Sequence, residues 1–153
     1  MTEATVRLVG FGRPEGGDTP SQVLSQAANR GASTRLVTDS YGSGLDRIDQ
    51  GAIDWREYLE GTHWLIISAS TSLAGDSARS AWGASMAFAE LEGSKTVMIV
   101  DMPEDPESLD ETWGNTIERI RQVHVLFITR DAITKISQLE GVAEHNLLQE
   151  IRH

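Results

Sequence analysis

Polar side chains follow two of the most apolar stretches of this sequence, and their types suit proton transfer or the binding of hydroxyl groups. Asp101 closes the run "KTVMIVD", and the hydroxyl-rich segment "SASTSL", residues 68–73, closes the run that begins at His63. A carboxylate at the end of a buried strand can act as a general base, and serine or threonine hydroxyls can bind a polyol. Each feature also has a structural explanation, since Asp101 could anchor the following loop and the 68–73 segment could cap the helix predicted to start near Asp76.

The segment "GFGRPEGGD" is a second candidate because it lies between a predicted strand and a predicted helix. Its glycines are spaced Gly10-x-Gly12-x-x-x-Gly16, one residue longer than the dinucleotide-binding fingerprint, and Asp39 ends the next strand where a ribose-binding acid is expected. A Rossmann-like nucleotide-binding module is therefore one alternative. The other explanation of Gly10 and Gly12 is a turn that lets the strand and helix pack closely. Arg13 could bind an acidic group or simply be solvated.

Composition and spacing exclude several other kinds of site. The chain contains no cysteine, which excludes disulfides and thiolate chemistry, and no Gly-x-Ser-x-Gly segment marks a hydrolase nucleophile. The net charge of −10 argues against nucleic acid and anionic lipid as partners, because binding to phosphates depends on Lys and Arg. No metal site is predicted, since the four histidines lie on separate elements without paired spacing: His63, His124, His145 and His153.

The elements that must position the candidate residues follow from alternating strand and helix patterns. Amphipathic segments predict helices, including a short one capped by Asp54 and stopped by Gly61 and a longer one over residues 106–122. Apolar runs predict five strands, within residues 5–12, 33–39, 63–70, 95–101 and 123–129. This alternation predicts a single α/β domain over residues 1–153, with an open, doubly wound, mostly parallel sheet of about five strands and helices on both faces. Ligands of such sheets bind at the carboxyl ends of the strands, where the candidate residues fall.

The cellular location follows from what the sequence lacks. No stretch approaches the roughly 18 apolar residues that a membrane-spanning helix needs. The first residues show no basic segment followed by a long apolar one, as a secretory signal would. We therefore expect a cytoplasmic protein without membrane association.

Four segments together resemble the ribokinase-like (PfkB) family of carbohydrate kinases, most closely its 2-keto-3-deoxygluconate kinases. In the family's order and spacing, they are "GGDTPSQVLSQAANRGASTRLVTDSYG", "AIDWREYLEGTHWLIISAS", "KTVMIVDMPEDP" and "VHVLFITRDAI". The resemblance implies a ribokinase-like fold and, as the ancestral role, ATP-dependent phosphorylation of a sugar or sugar acid with magnesium. It also implies substrate-binding roles for the positions that still match, Gly16, Gly17, Asp18 and Asp101.

The sequence departs from the family pattern where an acidic sugar and magnesium would be held. Aligning Asp101 with the family's Asp-x-Asn-x-Arg-Pro segment places Pro103 at the asparagine and Asp105 at the arginine. Thr129 and Ala132 stand at the two ends of the family's Asn-x-x-Glu motif, so the metal-organising carboxylate is replaced. Because acids surround the site, we expect a small neutral or weakly cationic polyol-like ligand.

The resemblance also implies that parts of the family's fold have no counterpart in this sequence. The connection after "YGSGL" has no room for the family's lid strands, and the sequence ends before the family's nucleotide half. We therefore expect no catalytic residue and no cofactor for this chain alone, with ATP and magnesium implied by the resemblance only. A third hypothesis is a non-catalytic, oligomeric interaction protein. Without the family's lid and nucleotide half, part of its apolar sheet is exposed, and a second copy or a complementary chain covers it.

Overall fold

A single parallel sheet is the centre of the fold. The computed structural model describes residues 5–11, 19–37, 53–103 and 105–151. Within them, the strands are β1 (Arg7–Phe11), β2 (Ser33–Leu36), β3 (Trp64–Ser68), β4 (Lys95–Val100) and β5 (Val125–Ile128). Their order across the sheet is β2-β1-β3-β4-β5, and all neighbouring strands are parallel. The predicted α/β class and the parallel sheet of five strands are confirmed.

Helices lie between the strands, and two more follow β5. They are α1 (Thr19–Asn29), α2 (Trp55–Leu59), α3 (Asp76–Glu92), α4 (Leu109–Glu118), α5 (Arg130–Glu140) and α6 (Glu144–Ile151). Short 3₁₀ turns cover Ala69–Leu73, Pro106–Ser108 and Ile120–Gln122, so the helix expected over residues 106–122 is shorter and flanked by two turns. None of the described helices is long and apolar enough to cross a membrane.

The ends of α2 illustrate how local sequence sets these boundaries. The Asp54 carboxylate accepts the N–H of Glu57 at 3.1 Å, which satisfies one of the free amides of the first turn. Gly61 follows the helix with φ +73°, a left-handed conformation that glycine adopts without strain and that ends the helix. The predicted cap at Asp54 and stop at Gly61 are both confirmed.

The sheet is covered on both faces, but unequally. The larger core lies between one face and α2 to α6, and it includes the fully buried side chains of Phe11, Leu65, Ile67 and Met98. The smaller core lies on the opposite face, where Leu24 of α1 packs with three strand residues, Ile66, Val97 and Ile99. Alternate residues of β3 and β4 thus enter different cores, as expected for strands buried on both sides.

At the edge of the sheet where the strands begin, two histidines each add a pair of hydrogen bonds to the neighbouring strand. The Nδ1 of His63 accepts the N–H of Arg7 at 3.0 Å, and the His63 N–H donates to the Arg7 carbonyl at 2.9 Å. His124 does the same with Thr96, at 3.2 and 2.9 Å. Only a ring without a proton on Nδ1 can accept such a bond, so these two histidines serve the sheet as acceptors.

Candidate functional site

Asp101 and two serines form a hydrogen-bonded cluster at the carboxyl edge of the sheet, where β3 and β4 end side by side. Ser68 is paired in register with Ile99, and its Oγ donates to Asp101 Oδ1 at 3.0 Å. Ser70 Oγ reaches the same carboxylate oxygen at 3.5 Å, and the two serine Oγ atoms are 2.9 Å apart. Ser68 is buried, whereas Ser70 and Asp101 are partly exposed. The structure therefore brings together two segments that the sequence analysis singled out separately.

Buried polar contacts from α3 and α4 hold the Ala69–Leu73 turn in place. Within the turn, Ser72 Oγ donates to the carbonyl of Ala69 at 2.7 Å. From α4, Asn115 Nδ2 donates to Ser72 Oγ at 3.1 Å, and Arg79 of α3 donates to Asn115 Oδ1 at 3.0 Å. Ser72 and Asn115 are both buried, so this chain of hydrogen bonds fixes the turn from its inner side.

A tryptophan fixes the start of the same turn. Trp82 of α3 donates from Nε1 to the carbonyl of Ser68 at 3.1 Å, in a buried contact. The residue that precedes α3 at its N-cap is Gly75, which makes no side-chain capping bond. The expectation that residues 68–73 cap this helix is therefore wrong, because the segment forms its own 3₁₀ turn before the helix begins.

Asp105 lies where the resemblance has an arginine, and its carboxylate caps the start of the next helical segment. Its Oδ1 accepts the N–H of Glu107 at 3.1 Å, and Ser108 Oγ donates to its Oδ2 at 3.4 Å. Asp105 is exposed, while Pro103 on the same loop is buried. These contacts give the acid a structural role, and its negative charge opposes the binding of an anionic ligand nearby.

The residues at the carboxyl end of β5 do not fit a magnesium-organising role. Thr129 is the N-cap of α5, and its Oγ1 accepts the N–H of Ala132 at 3.3 Å. Ala132 is fully buried, and its methyl group offers no atom that could bind a metal. Among the described residues, no group of three or more His, Cys, Asp or Glu side chains is placed to hold a metal ion.

Gly10 has a packing role that the sequence analysis anticipated. A Cβ atom at this position would clash with the side chain of Leu24, so Gly10 leaves the room on β1 that this α1 side chain occupies. The close packing expected at Gly10 is confirmed, but Gly10 lies within β1 and not in a turn. The other residues of the glycine-rich candidate region lie outside the described residues, and their predicted roles stay predictions: Gly12, Arg13, Gly16, Gly17, Asp18 and Asp39.

Two residues that position the cluster were not identified from the sequence. Asn115 follows Thr112 by three residues and Leu109 by six, which places its amide on the buried side of α4. An asparagine on the apolar side of a predicted helix indicates a specific polar contact, so Asn115 could have been identified from this spacing. The partner of Trp82 Nε1 has no such signal, because an indole on an apolar helix face is equally typical of plain core packing.

Comparisons with known proteins relate the fold to a sugar-acid kinase. No protein-family model and no curated protein matches the chain. Among solved structures, the chain is similar to the crystal structure of a 2-dehydro-3-deoxygluconokinase from Thermotoga maritima, with a TM-score of 0.53 and 13% sequence identity. The match covers 86% of this chain and 46% of that chain, so the chain spans less than half of the kinase's length. This protein has a kinase-like α/β fold of the ribokinase type.

Proposed function

We propose that this chain binds a small, hydroxyl-rich ligand of neutral or weakly cationic character at the carboxyl edge of its sheet. The observation that carries the proposal is the cluster of Ser68, Ser70 and Asp101, which joins two adjacent strand ends through one carboxylate oxygen. The Ser70 bond, at 3.5 Å, is at the outer limit of hydrogen bonding. A ligand hydroxyl can replace it, donating to the carboxylate and accepting from Ser70.

The charge of the site selects the ligand class. A carboxylate accepts hydrogen bonds from neutral hydroxyl and cationic amino groups, whereas it repels an anion. Two like charges about 4 Å apart repel by roughly 1 to 4 kcal/mol at the dielectric constants of water and of a protein surface. Asp101 and Asp105 both belong to the loop that follows β4, so a sugar acid is disfavoured there.

The kinase-like fold supports a sugar or polyol as the ligand. The similar solved structure is named as a kinase of a sugar acid, and the sequence resembles the same group of kinases. We assign the family's phosphorylation to the ancestral role, because Thr129 and Ala132 replace the metal-organising motif and their contacts are structural. Gly16, Gly17 and Asp18 are proposed as further ligand contacts on the basis of the resemblance alone.

Isothermal titration with three ligands of one skeleton tests the proposal. Glucose, glucosamine and glucuronate share the pyranose ring and differ mainly in charge, and we expect measurable binding of the first two and none or much weaker binding of glucuronate. Magnesium-ATP in a separate titration is expected to give no heat. Equal or tighter binding of glucuronate would contradict the charge argument, and heat from magnesium-ATP would contradict the assignment of phosphorylation to the ancestral role.

Variants locate the binding site. Asp101→Asn should weaken binding about 10- to 100-fold, since a hydrogen bond to a charged group contributes roughly 1.5 to 3 kcal/mol. Asp131→Asn is the matched control, because Asp131 is an exposed acid at the start of α5 and its replacement removes the same charge. Unchanged affinity in Asp101→Asn, or an equal loss in Asp131→Asn, would place the ligand elsewhere.

A further inference from the structure

The hydroxyl protons of Ser68 and Ser70 determine which ligand groups their cluster with Asp101 can receive. Each serine hydroxyl has one proton to donate and two lone pairs that accept, whereas a carboxylate only accepts. Three contacts join the cluster: Ser68 Oγ to Asp101 Oδ1 at 3.0 Å, Ser70 Oγ to Ser68 Oγ at 2.9 Å and Ser70 Oγ to Asp101 Oδ1 at 3.5 Å. The two serine protons can serve only two of these three contacts.

The distances assign the two protons. If Ser68 donates to Asp101, Ser70 donates to Ser68, and the two shorter contacts are both hydrogen bonds. The reverse direction, from Ser68 to Ser70 and from Ser70 to Asp101, leaves the 3.0 Å contact with a negative oxygen without a proton and uses the longest contact instead. Good O–H···O bonds are about 2.5 to 3.0 Å long, and bonds that follow one another in a chain strengthen each other. The proton of Ser70 therefore points to Ser68.

In this arrangement the cluster presents acceptors to a ligand. Ser68 is buried, and Ser70 and Asp101 are the partly exposed members. Ser70 presents the lone pairs of its Oγ, since its proton is bonded to Ser68, and a carboxylate has about four positions that accept a hydrogen bond. Because Ser70 Oγ and Asp101 Oδ1 are 3.5 Å apart, a single nitrogen beside the pair lies within hydrogen-bond distance of both oxygens.

A primary ammonium group suits such a pair of acceptors better than a hydroxyl group does. An ammonium has three donors and no lone pair, so it can donate to Ser70 and to Asp101 while the bond from Ser70 to Ser68 stays intact. A hydroxyl has one proton. Once it donates to Asp101, its oxygen needs the proton of Ser70, and the 2.9 Å bond to Ser68 is lost. The negative charges of Asp101 and Asp105, on the loop that follows β4, also favour a cation.

We propose that the ligand of this site carries a primary ammonium group on a hydroxylated skeleton, as an amino sugar does, and that this group binds between Ser70 and Asp101. The inference rests on the proposed function and narrows its ligand class from neutral or cationic to cationic. It also gives Ser68 a role in selectivity without ligand contact, because Ser68 accepts the proton that Ser70 would otherwise offer to a hydroxyl.

Isothermal titration with glucosamine, glucose and N-acetylglucosamine tests the ligand class, at a pH at which the amine of glucosamine is protonated. Glucosamine should bind at least about tenfold more tightly than glucose, since charge-assisted hydrogen bonds are roughly twice as strong as neutral ones. N-acetylglucosamine, whose nitrogen is a neutral amide, should bind no more tightly than glucose. Equal affinities for glucosamine and glucose would overturn this inference and leave the proposed function in place, whereas no binding of either would overturn both.

Ser68→Ala tests the proton assignment. Without the Ser68 oxygen, Ser70 can turn its proton to a ligand hydroxyl, so the ratio of glucosamine to glucose affinity should fall about fivefold, the value of one neutral hydrogen bond. Ser94→Ala is the matched control, because Ser68 and Ser94 are each 2% exposed but Ser94 lies just before β4, at the opposite edge of the sheet. An unchanged ratio in Ser68→Ala, or an equal fall in Ser94→Ala, would overturn the inference.

Ser70→Ala is a second test that does not alter a buried residue. It removes the acceptor from the partly exposed turn, so it should weaken the binding of glucosamine more than that of glucose and lower the same affinity ratio. An equal loss for both sugars would mean that the ammonium group does not contact Ser70, and it would overturn the inference. Far-UV circular dichroism checks that each variant is folded.

Discussion

The contact between Asn115 and Ser72 makes a quantitative prediction, because it joins α4 to the turn that carries Ser70. Both side chains are buried, with Asn115 Nδ2 to Ser72 Oγ at 3.1 Å. Asn115→Ala removes this bond and the bond from Arg79, at about 1 ± 0.5 kcal/mol each for typical protein hydrogen bonds. Because Arg79 is exposed, its guanidinium regains water and that loss is at the low end of the range. We expect a destabilisation of about 2 kcal/mol, which includes a small packing loss.

Urea denaturation of four proteins, wild type, Asn115→Ala, Ser72→Ala and the double variant, isolates the pairwise term. The double-mutant cycle should give a coupling energy of about 1 kcal/mol, the value of one buried neutral hydrogen bond. In a chain of this length, the Asn115→Ala change should lower Tm by about 4 to 8 °C. A matched cycle between Asn115 and Thr134, an exposed residue on α5, should show no coupling.

Two results would refute this reasoning. A coupling energy below about 0.3 kcal/mol would mean that the two side chains do not interact, because that is the scatter expected of independent sites. A destabilisation below about 0.5 kcal/mol in Asn115→Ala would mean that the amide is solvated rather than buried. If the ligand titration locates binding at Asp101, Asn115→Ala should also weaken that binding in the folded protein, since the turn that holds Ser70 loses its support.

Two further perturbations test the edges of the sheet and the packing of α1. His124→Leu should destabilise the fold by about 1 to 3 kcal/mol in thermal unfolding, because the N–H of buried Thr96 loses its acceptor. His124→Asn should retain most of the stability, since Asn Oδ1 can occupy the place of Nδ1, and equal losses in both variants would contradict this role. Gly10→Ala should cost about 1 to 3 kcal/mol in urea denaturation, because the new methyl group meets Leu24 Cδ1. Adding Leu24→Ala should relieve part of that cost, and strictly additive losses would show that the two residues are not in contact.

Much of the fold could be predicted from sequence because it depends on local patterns that repeat. The near-continuous apolar run of β4 is typical of a strand buried on both faces, and five of its six residues are buried. Asp54 and Gly61 mark the ends of α2 through capping chemistry that acts within a few residues. The division of residues 106–122 into a helix and two 3₁₀ turns was not predictable, since it depends on how Leu109 and Trp113 enter the core.

The site could be predicted only in part, for a physical reason. Asp101 and the serine-rich segment were identifiable because strand ends at the carboxyl edge of a parallel sheet converge. The hydrogen bond between Ser68 and Asp101 joins residues 33 positions apart, and that pairing depends on the register of β3 against β4. Register follows from the assembled core, so neither this bond nor the contact of Asn115 with Ser72 could be read from a single segment.

The strand order has a consequence for how the protein assembles during synthesis. β1 lies between β2 and β3, so described strands pair with both of its sides only once residues near Ser68 have left the ribosome. From that point each new strand, β4 and then β5, adds beside the one made just before it. Because chains emerge from the amino end, β4 and then β5 extend the sheet in one direction, and the strand added last lies at the edge. Among the described strands, the sheet can therefore extend outward from β2, β1 and β3, and each added strand closes only one helical connection.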